Sequence, residues 1–189
     1  MTKARVEAFS DGVIAILITI MVLELRPPHG GELAALRPLL PTFLAYVLSF
    51  VYLGIYWTNH HHLFHAIHRV NGAVLWANLH LLFWLSIVPF ATAWMGENHS
   101  AVPTAVYGAV LLMASIAYYV LVRLMLRVEG PTSQLAAAVG NDVKGRISTA
   151  LYVVALPLAF LHQAIADVVY VTVALIWLIP DRRIESRIS

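Results

Sequence analysis

The stretch 5-RVEAFSDGVIAILITIMVLEL-25 sets Arg5, Glu7, Ser10 and Asp11 directly in front of a nearly unbroken run of isoleucine, leucine, valine and methionine. From Gly12 to Leu25 a helix covers only about 21 Å, whereas crossing the hydrocarbon core of a bilayer takes about 30 Å, or about 20 residues. The span must therefore reach back toward Arg5, which places Ser10 and Asp11 inside the membrane. A charged side chain costs about 2.5–3.5 kcal/mol at the centre of such a helix and less near the interface. These two residues need partners.

A helical wheel at 100° per residue separates two faces of this segment. Phe9, Gly12, Ile20 and Leu23 fall close to Ile16, with Thr19 somewhat further round, while Glu7, Ser10 and Asp11 point to the opposite side. Arg5 falls near the Ile16 face by angle, but at its depth a long side chain can turn to the interface.

The remainder of the chain has the same character. Of 189 residues, 60% are hydrophobic and 12% charged, with none of them cysteine, and the mean hydropathy is +0.78. A soluble domain carries about a quarter charged residues, so the composition implies an all-α integral membrane protein with no disulfide or thiolate chemistry. The first apolar run does not read as a cleaved signal peptide, because acidic Glu7 and Asp11 stand where a basic segment belongs.

Six apolar spans are expected, at roughly 5–25, 39–61, 72–95, 102–126, 145–162 and 165–180, forming one membrane domain over 1–189. Between them lie Pro27-Pro28, Asn71-Gly72, Gly96 to Pro103, Gly130-Pro131 and His162 to Asp167. Within the longest connection, 135-LAAAV-139 reads as a short interfacial helix. With six spans, Lys3, Arg5, Arg69, Arg123, Arg127, Lys144, Arg146, Arg182, Arg183 and Arg187 fall on one side, against Arg26 and Arg37 on the other. By the positive-inside rule both termini are cytoplasmic. The basic residues are scattered along loops, which fits anionic lipid headgroups as partners and gives no nucleic-acid surface.

The same topology supplies partners for Ser10 and Asp11. Span two ends on Trp57, Asn59, His60, His61 and His62, and span three begins with Trp76, Asn78 and His80, all at the depth of Asp11. The candidate network is Arg5, Phe9, Ser10 and Asp11 with Asn59, His60, Trp76, Asn78 and His80. A packing network explains these residues as readily as ion handling does, although an intramembrane carboxylate is a functional candidate by default.

The 5-RVEAFSDG-12 opening of a span that ends 19-TIMVLEL-25 resembles the signature of the transmembrane protein 175 family of potassium channels. The passage 59-NHHHLFHAIHRVNGAVLWANLHLLF-83, and Pro89-Phe90 followed by Gly96-Glu97, are similar to its bacterial members. The resemblance implies a homotetrameric potassium-preferring cation channel of the bacterial plasma membrane, with one six-helix repeat per chain and a pore lined by the first helix. It places the constriction at Ile16, with Ile20 and Leu23 as further apolar rings and Thr19 as the threonine layer tied to selectivity. Arg5, Phe9, Ser10 and Asp11 match the motif that holds the first helix to its neighbours. A ring of isoleucines gates by dewetting, opening when the neck widens enough to keep an ion partly hydrated. Without the resemblance an Ile/Leu stripe reads as a lipid-facing or packing surface.

An alternative reading starts from 60-HHHLFHAIH-68. On a continued helix His61, His65 and His68 share one face and give weak candidate metal ligands, which would suit a proton-coupled divalent-metal transporter using the His60–His68 cluster. No cysteine completes such a site, and Asp11 is the only carboxylate well inside the first five spans. A non-transporting scaffold is a third possibility. No nucleophile elbow, phosphate-binding glycine loop or His-Glu-x-x-His helix is present, so neither an enzyme nor a cofactor is expected.

Overall fold

The computed structural model describes residues 2–140 and 142–178, and all regular structure among them is helical. In chain order the helices are α1 (Lys3–Leu23), α2 (Leu40–His65), α3 (Gly72–Glu97), α4 (Ala101–Glu129), α5 (Gln134–Val139), α6 (Val143–Leu161) and α7 (Gln163–Leu178). A 3-10 segment, Leu33–Leu39, leads into α2.

Local chemistry sets several of the boundaries. The Asn71 side chain accepts from the Val74 N–H at 2.9 Å and Ser133 accepts from the Ala136 N–H at 3.1 Å, capping α3 and α5. Asp142 accepts from the Gly145 N–H at 3.2 Å and opens α6 from a left-handed conformation, φ 42°. Helix α4 stops at Gly130, φ 90°, ahead of Pro131. An extended His162 separates α6 from α7.

Among the described residues five helices are long and apolar enough to cross a membrane, counting α2 with its 3-10 lead-in. The sixth expected span corresponds to α7, whose 16 described residues cover about 24 Å. Residues 179 and 180 of that expected span, and Arg182, Arg183 and Arg187 of the charge argument, lie outside the described residues. The short helix expected at 135–139 is α5.

Helix α3 is the hub, packing on α1, α2 and α4, while α6 and α7 close the other side against α4 and α2. Close approach is bought by small residues: a Cβ at Gly96 would stand 2.7 Å from the Thr42 Cα. In one half of the bundle, polar groups pair within the core. Ser49 hydrogen-bonds Thr92 at 2.7 Å and Tyr107 at 2.9 Å, and the Tyr52 hydroxyl donates to the Tyr170 carbonyl at 2.6 Å. Pairing of this kind satisfies hydroxyls that have no water to turn to, although the buried Thr104 hydroxyl has no partner among the described residues.

Candidate functional site

Helix α1 turns one face into the protein. Val6, Ser10, Ile14, Leu17 and Met21 are buried, at the i, i+4, i+7 spacing of a packed face. The other face has no packing partner among the described residues: Phe9, Ile16, Ile20 and Leu23 are exposed, Ile16 at 57% and Leu23 at 75%. Thr19 lies on this side and donates its hydroxyl to the Ile16 carbonyl at 2.8 Å.

Between the two faces runs a polar seam with α2. The Lys3 ammonium donates to the carbonyls of Ile67 at 3.1 Å and His65 at 3.4 Å, Glu7 pairs with His61 at 3.0 Å, and Asp11 accepts from the Trp57 indole N–H at 3.0 Å. The contacts step by four residues up α1 and four residues down α2, the repeat of two antiparallel helices meeting along one seam. Lys3 also places a cation at the α2 C-terminus, where unpaired carbonyls favour positive charge.

Ser10 leads into a second, fully buried chain. The Asn78 amide donates to the Ser10 hydroxyl at 2.9 Å, and that hydroxyl donates to the Val6 carbonyl at 2.9 Å. His60 Nε2 and Asn78 Oδ1 are 2.7 Å apart. The amide oxygen can only accept, so Nε2 carries the hydrogen and Nδ1 is the bare nitrogen, buried with no partner among the described residues. The His60 ring stacks on Phe64, with centroids 4.4 Å apart. One asparagine on α3 thus joins α1 to α2.

Of the residues anticipated for this network, Ser10, His60 and Asn78 come together, and Asp11 bonds instead to Trp57 in the neighbouring seam. The others do not. Asn59 bonds back to the Ile55 carbonyl at 2.8 Å, His80 accepts from the Trp84 indole at 3.0 Å, and Trp76 is 76% exposed. Arg5 and Phe9 are exposed on α1. The candidate network read from the sequence omits Lys3, Glu7 and Trp57, although Trp57 is among the span-two residues at the depth of Asp11. The signal was present: Lys3, Glu7 and Asp11 repeat every four residues, as do Trp57, His61 and His65.

The histidine run reads differently once folded. Helix α2 ends at His65 with Ala66 as its cap, so His68 does not continue a face with His61 and His65. His68 turns instead to Glu129 at the end of α4, whose carboxylate accepts from the His68 N–H at 2.7 Å, the His68 ring at 3.1 Å and the Arg69 N–H at 3.0 Å. Among the described residues no group of three His, Asp or Glu side chains is placed to hold a metal ion.

Fold and site together define a multi-pass helical membrane protein whose first helix is bound on one face and bare on the other. The chain matches the family described as endosomal/lysosomal potassium channel TMEM175 over residues 5–89. It is 55% identical over 190 residues to a potassium channel of Chryseobacterium sp. (strain P1-3), covering 100% of this chain and 99% of that one. It is 31% identical to a bovine endosomal/lysosomal proton channel TMEM175, covering 75% of this chain and 33% of the bovine one. The crystal structure of a lysosomal potassium-selective channel TMEM175 homolog from Chamaesiphon minutus superposes with a TM-score of 0.80 at 31% identity, covering 93% of this chain and 96% of that chain. The protein belongs to the TMEM175 potassium channel family.

Proposed function

We propose that four copies of this chain assemble around a common axis with the bare face of α1 inward, forming a potassium-preferring pore in the cell membrane with both termini cytoplasmic. The observation that supports this reading most is the stripe Ile16, Ile20 and Leu23, large apolar side chains left unpacked on a helix whose opposite face is tied down by charged and polar bonds. Four isoleucines around an axis make a neck that excludes water until it widens. Thr19 sits one turn from Ile16. Its hydroxyl hydrogen is committed to the Ile16 carbonyl, which leaves oxygen lone pairs available to a passing cation.

On this reading Asp11 is structural, since its carboxylate is held by Trp57 in the seam between α1 and α2. The divalent-metal alternative loses its main support with the separation of His68 from His61 and His65.

Potassium efflux from liposomes reconstituted with the protein tests the proposal. Ile16→Asn should raise the resting leak or reduce the preference for potassium over sodium. Because the chain has no cysteine, Leu23→Cys also provides a clean probe: oxidation should cross-link neighbouring chains, and a membrane-impermeant thiol reagent should reduce flux. Unchanged flux when Ile16, Ile20 and Leu23 are each made polar would remove the pore assignment.

A further inference from the structure

A cavity of about 570 Å³ lies away from α1, between α2, α4 and α6. At one end stand Asn59, Tyr56, Tyr118, Asp142 and Arg146, and about 12 Å further along α6 stand Val153 and Val154, both half-exposed on the outer surface of the bundle. The cavity therefore has a polar head and an apolar exit. Its volume falls in the range of small-molecule sites.

The polar end is rich in donors. Arg146 lines it, and the Arg123 guanidinium lies 5.8 Å from the ring centroid of Tyr119, another lining residue. Tyr56 and Tyr118 both line the cavity, and their rings meet edge to face, 6.0 Å between centroids. The single carboxylate among the lining residues, Asp142, already accepts from the Gly145 N–H, and Arg146 stands near enough to offset its charge. An arginine fork with two phenolic donors suits a phosphate group.

We propose that this cavity is a binding site for an anionic phospholipid, with its phosphate held by Arg146, Tyr56 and Tyr118 and its acyl chains leaving past Val153 and Val154 into the bilayer. Basic pockets between membrane helices near the interface recognise headgroups in this way. The inference rests on membrane embedding and is independent of which face of α1 lines a pore.

Native mass spectrometry of the full chain, purified in mild detergent and titrated with dioleoyl phosphatidylglycerol, tests it. Wild type should retain phosphatidylglycerol in preference to phosphatidylcholine, and Arg146→Gln should retain several-fold less. Val153→Trp, a change at an exposed position that narrows the apolar exit, should reduce retention while leaving the gel-filtration profile intact. Equal retention of both lipids, or retention unaffected by Arg146→Gln and Val153→Trp, would overturn the proposal. So would displacement of the lipid by inorganic phosphate at matched concentration, because the site would then take the free anion.

Discussion

The Trp57 indole N–H donates to the Asp11 carboxylate at 3.0 Å, fastening the first helix to the second within a seam that also holds Glu7 against His61 at 3.0 Å. The seam fixes the rotation of α1 about its own axis, and the rotation decides that Ile16, Ile20 and Leu23 stay outside the packed core.

Trp57→Phe keeps the ring and removes the donor. Interhelical hydrogen bonds in membranes contribute about 0.6–2 kcal/mol, and a loss of that order should appear as a lower unfolding midpoint in detergent. Asp11→Asn, which still offers Trp57 an acceptor, should be milder than Asp11→Leu. Equal losses from both would show that the bond is not what Asp11 supplies.

Asn78→Leu should be more damaging than Trp57→Phe, because it breaks the bonds to both Ser10 and His60 and leaves the buried imidazole without any partner. A stranded buried polar group costs about 1–3 kcal/mol. Replacing both members, as in Asn78→Leu with His60→Phe, should recover part of the loss. A thermal-unfolding double-mutant cycle measures the coupling, and additive losses would show that the two residues act independently.

At Gly108 a Cβ would collide with the Tyr170 hydroxyl, which donates to the Thr104 carbonyl at 3.1 Å. Gly108→Ala should therefore destabilise by about 1–3 kcal/mol, as overpacking does. Adding Tyr170→Phe removes the colliding oxygen and should restore part of the stability. Yield of monodisperse protein on gel filtration gives a simple readout.

Asp142 leads to a pH-dependent prediction. Burial raises its carboxyl in the folded chain above the unfolded value, so the folded state holds the proton more tightly. The carboxylate's handicap is thus fully present at neutral pH and disappears as pH falls through the raised value toward the unfolded one. Asp142→Asn keeps a capping oxygen and suits the left-handed backbone, φ 42°. It should raise the unfolding midpoint at pH 7, with the gain shrinking as the carboxyl range is entered. Asp142→Ala, which loses the cap, should cost about 1 kcal/mol.

The helices and the two faces of α1 are legible in the order of residues alone. Runs of apolar residues long enough for a bilayer, broken by Pro27-Pro28, Asn71-Gly72 and Gly130-Pro131, mark segments because backbone groups in lipid must pair locally. The short span from Gly12 to Leu25 drew Ser10 and Asp11 into the first helix, and α1 begins at Lys3. Periodicity within one helix then separated Asp11 from Ile16.

Which polar residue meets which depends on how the helices pack. Asp11 takes Trp57, while Asn78 serves Ser10 and His60, and His80 turns to Trp84. Asn59 and His60 are neighbours in sequence, yet one faces the cavity and the other lies in the core. Periodicity describes a helix only relative to itself. Register and rotation between helices come from packing across them, from contacts such as Gly96 against Thr42 and Gly108 against Tyr170. The end of α2 at His65 likewise detached His68 from the histidine face and gave it to Glu129, a residue 61 positions away.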